Sequence, residues 1–225
     1  MNTAREQMLQ RIREAAIKGN RAGVSSAQIP ERGQVGYQGG GADLLVRFRE
    51  EFTAAGGRLH ILADAAAVQV ILDLVRSRAI RRVLLGRGDV LDALSLDEPL
   101  RAAGVEILKV EAATAENREA LFQAELGLSG VDYLIAETGS VVLASRPDQP
   151  RSLSLLPPLH IAVAERRQLL PDLFDLFAAP ATSAEDLPAS FSIITGPSKT
   201  GDIELRLVTG VHGPGEVHVI VIDHE

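Results

Sequence analysis

Four short stretches of this sequence carry residues that do chemistry. The first is Ala136-Glu137-Thr138-Gly139-Ser140, a carboxylate beside a Thr-Gly turn between two apolar runs. A carboxylate so placed can serve as nucleophile or general base. It can equally accept hydrogen bonds from nearby backbone N–H groups and fix the turn. The second is Gly196-Pro197-Ser198-Lys199-Thr200-Gly201-Asp202. Backbone N–H groups around its glycines, a lysine and two hydroxyls suit a small anion, and Asp202 suits the cap of a short helix starting at Ile203. The third is Gly210-Val211-His212-Gly213-Pro214-Gly215-Glu216, where glycines let backbone approach a ligand and His212 can move a proton. The fourth, residues 145–161, sets Arg146 and Arg151 around a proline turn. Either arginine can hold a carboxylate or phosphate bidentately, and either can be plain surface charge.

Other motifs fail. Gly196 to Gly201 has the gap of a phosphate-binding loop but continues with Asp202 and Ile203 in place of Lys and Ser/Thr. Gly86 and Gly88 begin a dinucleotide pattern whose third glycine position is Leu91. No Gly-x-Ser-x-Gly elbow and no His-Glu-x-x-His helix are present. His212, Glu216 and His218 lie near one another in sequence, but histidines in polar turns are more often hydrogen-bonded than metal-bound, and no metal is expected.

Alternating elements must position these stretches. Residues 3–17 read as an amphipathic helix opened by Thr3 and Glu6, and residues 18–41 as a glycine-rich connection. From residue 42 helix and strand alternate: a helix closed at Gly56-Gly57, strand RLHIL, a helix from Asp64, strand RRVLLG, a short helix, strand VEILKV and a helix over TAENREALFQAEL. Two strands then flank the Thr-Gly turn. Strand LHIAVA, a helix RQLLPDLFDLFA, strand FSIIT and strand EVHVIVID complete the chain. Such alternation predicts a three-layer α/β/α domain over residues 42–225, with a mainly parallel sheet covered on both faces. Ligands of such sheets bind beyond the carboxyl ends of strands.

Composition narrows the partners. The 225 residues suffice for one well-buried core, with 46% hydrophobic and 24% charged residues as in ordinary globular domains. A net charge of −7 and only 4% aromatics argue against a nucleic-acid or anionic-membrane surface. No cysteine is present, which excludes disulfides, thiolate catalysis and cysteine-ligated iron–sulfur clusters in this chain. The charged N-terminus lacks a signal core, and the longest apolar run is broken by Pro157, Pro158 and His160, so a cytoplasmic protein without membrane insertion is expected.

Taken together, AETGSVVLAS, RSLSLLPPLHIAVAE, GPSKTGDIE and GVHGPGE resemble the lactate-utilization (LUD) domain family, and within it the lactate utilization protein C group. The resemblance runs from about Asp43 to the C-terminus. It implies a fold like that of sugar-phosphate isomerases and CoA transferases. It also implies a role in oxidising L-lactate to pyruvate beside partner proteins that carry iron–sulfur clusters, with no cofactor in this chain. The expected site is one small-anion pocket at the carboxyl edge of the sheet, walled by the two Gly-Pro turns. Glu137 and His212 would be its catalytic groups, and Thr138, Gly139, Gly196, Ser198, Lys199, Thr200, Asp202 and Gly213 its ligand-binding ones. Two alternatives stay open: a stand-alone acyl-CoA transferase or sugar-phosphate isomerase using Glu137, and a regulatory module that binds a small carboxylate.

Overall fold

The computed structural model describes residues 4–19, 39–108, 118–178, 188, 190–203 and 206–223. Helix α1 (Ala4–Gly19) belongs to a first unit, residues 1–37, and the described side chains of Ala4 to Ala15 are exposed, Met8 and Ile12 included. The Thr3 cap and residues 20–38 of the expected connection lie outside the described residues.

The second unit opens with α2 (Leu44–Ala54), whose start is set by Asp43: its side chain accepts from the backbone N–H of Leu45 at 2.9 Å and Val46 at 3.1 Å. Leu45, Phe48 and Phe52 recur at helical spacing and bury one face. There follow β1 (Arg58–Leu62), α3 (Asp64–Ser77), β2 (Arg82–Leu85), α4 (Asp89–Leu94), α5 (Asp97–Ala102), β3 (Glu106–Leu108), α6 (Arg118–Phe122) and β4 (Leu126–Gly130). Then come β5 (Tyr133–Ile135), β6 (Ser140–Ala144), α7 (Ser152–Leu155), β7 (Leu159–Glu165), β8 (Leu169–Leu170), α8 (Leu173–Ala178), β9 (Phe191–Ile194), β10 (Lys199–Ile203), β11 (Arg206–Thr209) and β12 (Glu216–Ile222).

Six strands form one wholly parallel sheet in the order β1-β12-β7-β4-β2-β3. Its strands are apolar on both faces because both faces are covered. Along β12, Ile220 and Ile222 enter a core beneath α3, α4 and α5, while Val217, Val219 and Val221 enter another beneath α2 and the second sheet. That second sheet has the order β8-β5-β6-β9 and contains the expected antiparallel pair β5–β6. Among the described residues, no helix is long and apolar enough to cross a membrane.

The mainly parallel α/β architecture is the expected one, with local corrections. TAENREALFQAEL does not stay helical to its end: α6 stops at Phe122, and Leu126 opens strand β4. RQLLPDLFDLFA begins in a 3₁₀ turn (Arg166–Gln168), passes through β8 and becomes helical only at α8, because Pro171 lacks an N–H and holds the residue before it extended. No helix starts at Ile203. Asp202 lies instead in β10, which pairs antiparallel with β11, and its side chain lies outside the described residues.

Candidate functional site

The two Gly-Pro turns do come together. Ser198 N–H donates to Pro214 O at 2.8 Å, Gly210 N–H to Ser198 O at 2.9 Å, and His212 N–H to Ser198 Oγ at 3.4 Å. Their position corrects the expectation. The N–H groups of Gly215 and Glu216 donate to Pro158 O, just ahead of β7, and Glu216 is the first residue of β12. The cluster therefore stands at the amino edge of the parallel sheet, opposite the carboxyl edge. Lys199 Nζ donates to Ala55 O at 2.5 Å, placing a cation on the end of α2, where carbonyls lack helical partners. Thr200 is held in the hairpin opposite Val208.

The Glu137 turn adjoins this cluster. Hydroxyls link Thr138 to Ser140 at 2.8 Å and Ser140 to Thr195 at 2.7 Å. Gly139 sits at φ +61°, and a Cβ there would stand 2.3 Å from the backbone nitrogen of Phe52, so only glycine lets the turn lie against α2. Glu137 is half-buried. Its N–H donates to Pro171 O at 3.0 Å and its Oε1 accepts from Gly39 N–H at 3.4 Å.

The carboxyl edge carries a different constellation. From β2 the chain passes to β3 on one side of the sheet and returns to β4 on the other, which makes β2/β4 a topological switch point. Here the turn after β2 (Gly86 to Asp89), the turn after β4 (Gly130 to Asp132) and the turn after β7 (Arg166 to Gln168) converge. A loop over 145–150 closes across them: Arg146 and Gln149 exchange backbone hydrogen bonds at 3.2 and 3.1 Å, and Arg87 N–H donates to Asp148 O at 3.2 Å. The pocket so formed has a volume of about 300 Å³, at the small end of ligand sites. Arg87, Arg146 and Arg167 line it with Gly88, Gly130 and Gln149; Asp89, Asp132 and Asp148 balance their charge. None of the ten residues expected to form the site lines this pocket.

Each arginine is braced. Arg146 pairs through one terminal nitrogen with Asp132, whose other oxygen accepts from Ala144 N–H at 2.6 Å. Arg87 reaches Asp92 at 3.1 Å and Asp97 at 3.2 Å through one nitrogen. Arg167 pairs through Nε with Glu165, and its pKa is raised first by that hydrogen bond and last by the charge of Asp89. The remaining guanidinium nitrogens are planar, directed donors. Because acidic and basic linings balance, a ligand here is recognised by aimed N–H groups more than by net field.

Histidines are buried elsewhere. His160 on β7 is fully buried, takes Ser129 Oγ at 2.8 Å through Nε2, and has no partner for Nδ1 among the described residues; burial pushes its pKa down to about 4. At the amino edge His60 Nε2 meets His218 Nδ1 at 2.9 Å, and His218 Nε2 meets Glu216 at 2.9 Å. Burial lowers both histidines, and Glu216 is pulled down to about 2, chiefly by its hydrogen bond from Arg78. Among the described residues no group of three metal-ligating side chains is assembled.

Of the pocket residues, sequence reasoning reached Arg146 and met Gly88 in a dinucleotide pattern that fails. It missed Arg167, Gln168 and Gln149. The available signal was position: Arg166-Arg167-Gln168 directly follows the buried strand β7, at its carboxyl end.

The LUD domain family matches residues 45–222, and this chain belongs to it. The chain is 31% identical over 184 residues to the uncharacterized protein YkgG of Escherichia coli, covering 80% of this chain and 79% of that one. It is 41% identical over 104 residues to a lactate utilization protein C of Halalkalibacterium halodurans, 45% of each chain, and 37% identical over 136 residues to that of Geobacillus kaustophilus, 59% of this chain and 56% of the relative. The chain thus spans about half the length of these lactate utilization proteins. A DUF162 family protein from Deinococcus radiodurans shares the fold, with a TM-score of 0.56 at 23% identity over 80% of this chain and 96% of that one.

Proposed function

We propose that this chain serves lactate utilization as a non-redox subunit. It binds a small carboxylate or phosphate beyond the carboxyl ends of the parallel strands and works beside iron–sulfur proteins. The reading is carried by the braced arginines at the β2/β4 switch point. Converting L-lactate to pyruvate releases two electrons and two protons. A chain with no cysteine holds no cysteine-ligated cluster to take those electrons, so they pass to a partner. Arg146 grips the carboxylate, held in place by Asp132, and Arg87 and Arg167 close around it. The Glu137 and Lys199 turns brace the C-terminal end of α2, and the His212 turn is tied to them through Ser198.

Calorimetric titration with L-lactate, pyruvate and inorganic phosphate tests the reading, using the unmodified protein and Arg146→Gln. Losing a charge-assisted bidentate contact should weaken binding about tenfold or more. Equal affinities in the two proteins would overturn the pocket assignment. Tagged protein recovered from cells grown on lactate should bring iron–sulfur proteins and lactate-oxidising activity with it; recovery alone and inactive would refute the subunit role.

A further inference from the structure

We propose that Gln149 reads the second oxygen of the ligand, making the pocket selective for acids that carry a hydroxyl or carbonyl group next to the carboxylate. This rests on the carboxylate-binding reading above. Gln149 is fixed by its backbone, which exchanges hydrogen bonds with Arg146 at 3.1 and 3.2 Å, and by Pro147 and Pro150 in the same loop. Its amide lies over a floor of three glycines. A Cβ added at Gly86 would stand 3.2 Å from Oε1, and one at Gly130 or Gly88 would stand 3.1 or 3.6 Å from Nε2. The glycines at the ends of two neighbouring strands thus leave room for this one amide.

The amide itself is unspent. Although the residue is half-buried, neither Oε1 nor Nε2 has a hydrogen-bond partner among the described residues. The residue lines the arginine pocket and its amide is not buried away from water, so both of its polar atoms are open to a ligand that enters there. Arg146, three residues earlier in the same loop, supplies the carboxylate contact. The chemistry then follows from the inventory of an amide: Nε2–H donates to a carbonyl or hydroxyl oxygen, and Oε1 accepts from a hydroxyl. One side chain therefore serves both 2-hydroxy and 2-oxo acids without moving. An acid lacking the second oxygen keeps its arginine contact but leaves the amide unpaired.

The test is titration of the full chain with lactate, pyruvate, propionate and acetate. The unmodified protein should bind the first two about tenfold more tightly than propionate, the scale of one directed hydrogen bond. Gln149→Leu should bind propionate within about twofold of the unmodified protein and lose the preference. Gln149→Met, closer in shape, should behave alike and guards against misfolding of the first variant. If the preference survives in both variants, Gln149 is not its source and the proposal is overturned while the pocket stands. If the unmodified protein binds none of the four acids, the carboxylate reading fails and this proposal falls with it.

Discussion

Acid should weaken this fold through His160. The imidazole, carried on β7, is fully buried, shares one hydrogen bond with Ser129 Oγ of β4, and has its pKa pushed from 6.5 to about 4 by burial. In the unfolded chain the same ring titrates near 6.5. Above that pH both states are neutral and nothing is lost. As pH falls from about 6.5 toward 4 the unfolded chain binds a proton that the folded chain refuses, so stability declines. The stability lost in this way is about 3 kcal/mol, most of it by pH 4.5. That is a large share of the roughly 5–15 kcal/mol that holds a domain folded. Urea unfolding at pH 7.5, 6.5, 5.5 and 4.5 measures it, with His160→Gln as the non-titrating partner. Carboxylates and the His60–His218 pair add their own pH dependence, but equally to both proteins. The difference between the two curves should therefore shrink by about 2 to 3 kcal/mol between pH 7.5 and 4.5. Parallel curves, agreeing within about 0.5 kcal/mol after one vertical offset, would show that His160 is not refused its proton.

Two further substitutions probe the turns around α2. Gly139→Ala forces a Cβ to within 2.3 Å of Phe52 nitrogen at a φ of +61°; thermal unfolding should report a loss above about 2 kcal/mol, and a smaller loss would mean that the turn relaxes. Lys199→Ala removes the cation at Ala55 O. Exposed as it is, it should lower stability by no more than about 1 kcal/mol and leave carboxylate binding unchanged; weakened binding would return the lysine to the ligand site.

The parallel sheet was legible in the sequence because its strands are buried on both faces and read as apolar runs. LGLSG was not, because β4 obeys its neighbours before its own propensity. A Cβ at Gly127 would stand 1.8 Å from Leu153 O, and Ser129 answers His160. The edge of the Gly-Pro cluster was misjudged for a topological reason. GPSK does follow a strand, but β9 belongs to the second sheet and runs antiparallel to β6, so the turn after it says nothing about the carboxyl edge of the first. GVHGPGE precedes β12 and can only lie at the amino edge. The arginine pocket is scattered over four turns and becomes a site only when strand order is known.

The most direct test of ligand binding at the carboxyl edge is a titration of isotope-labelled protein with L-lactate and with phosphate, followed by backbone amide resonances. Shifts should concentrate at Arg87, Gly88, Gly130, Arg146 and Gln149, with Ser198 and His212 silent. Shifts centred on Ser198 to His212, or none anywhere, would contradict it.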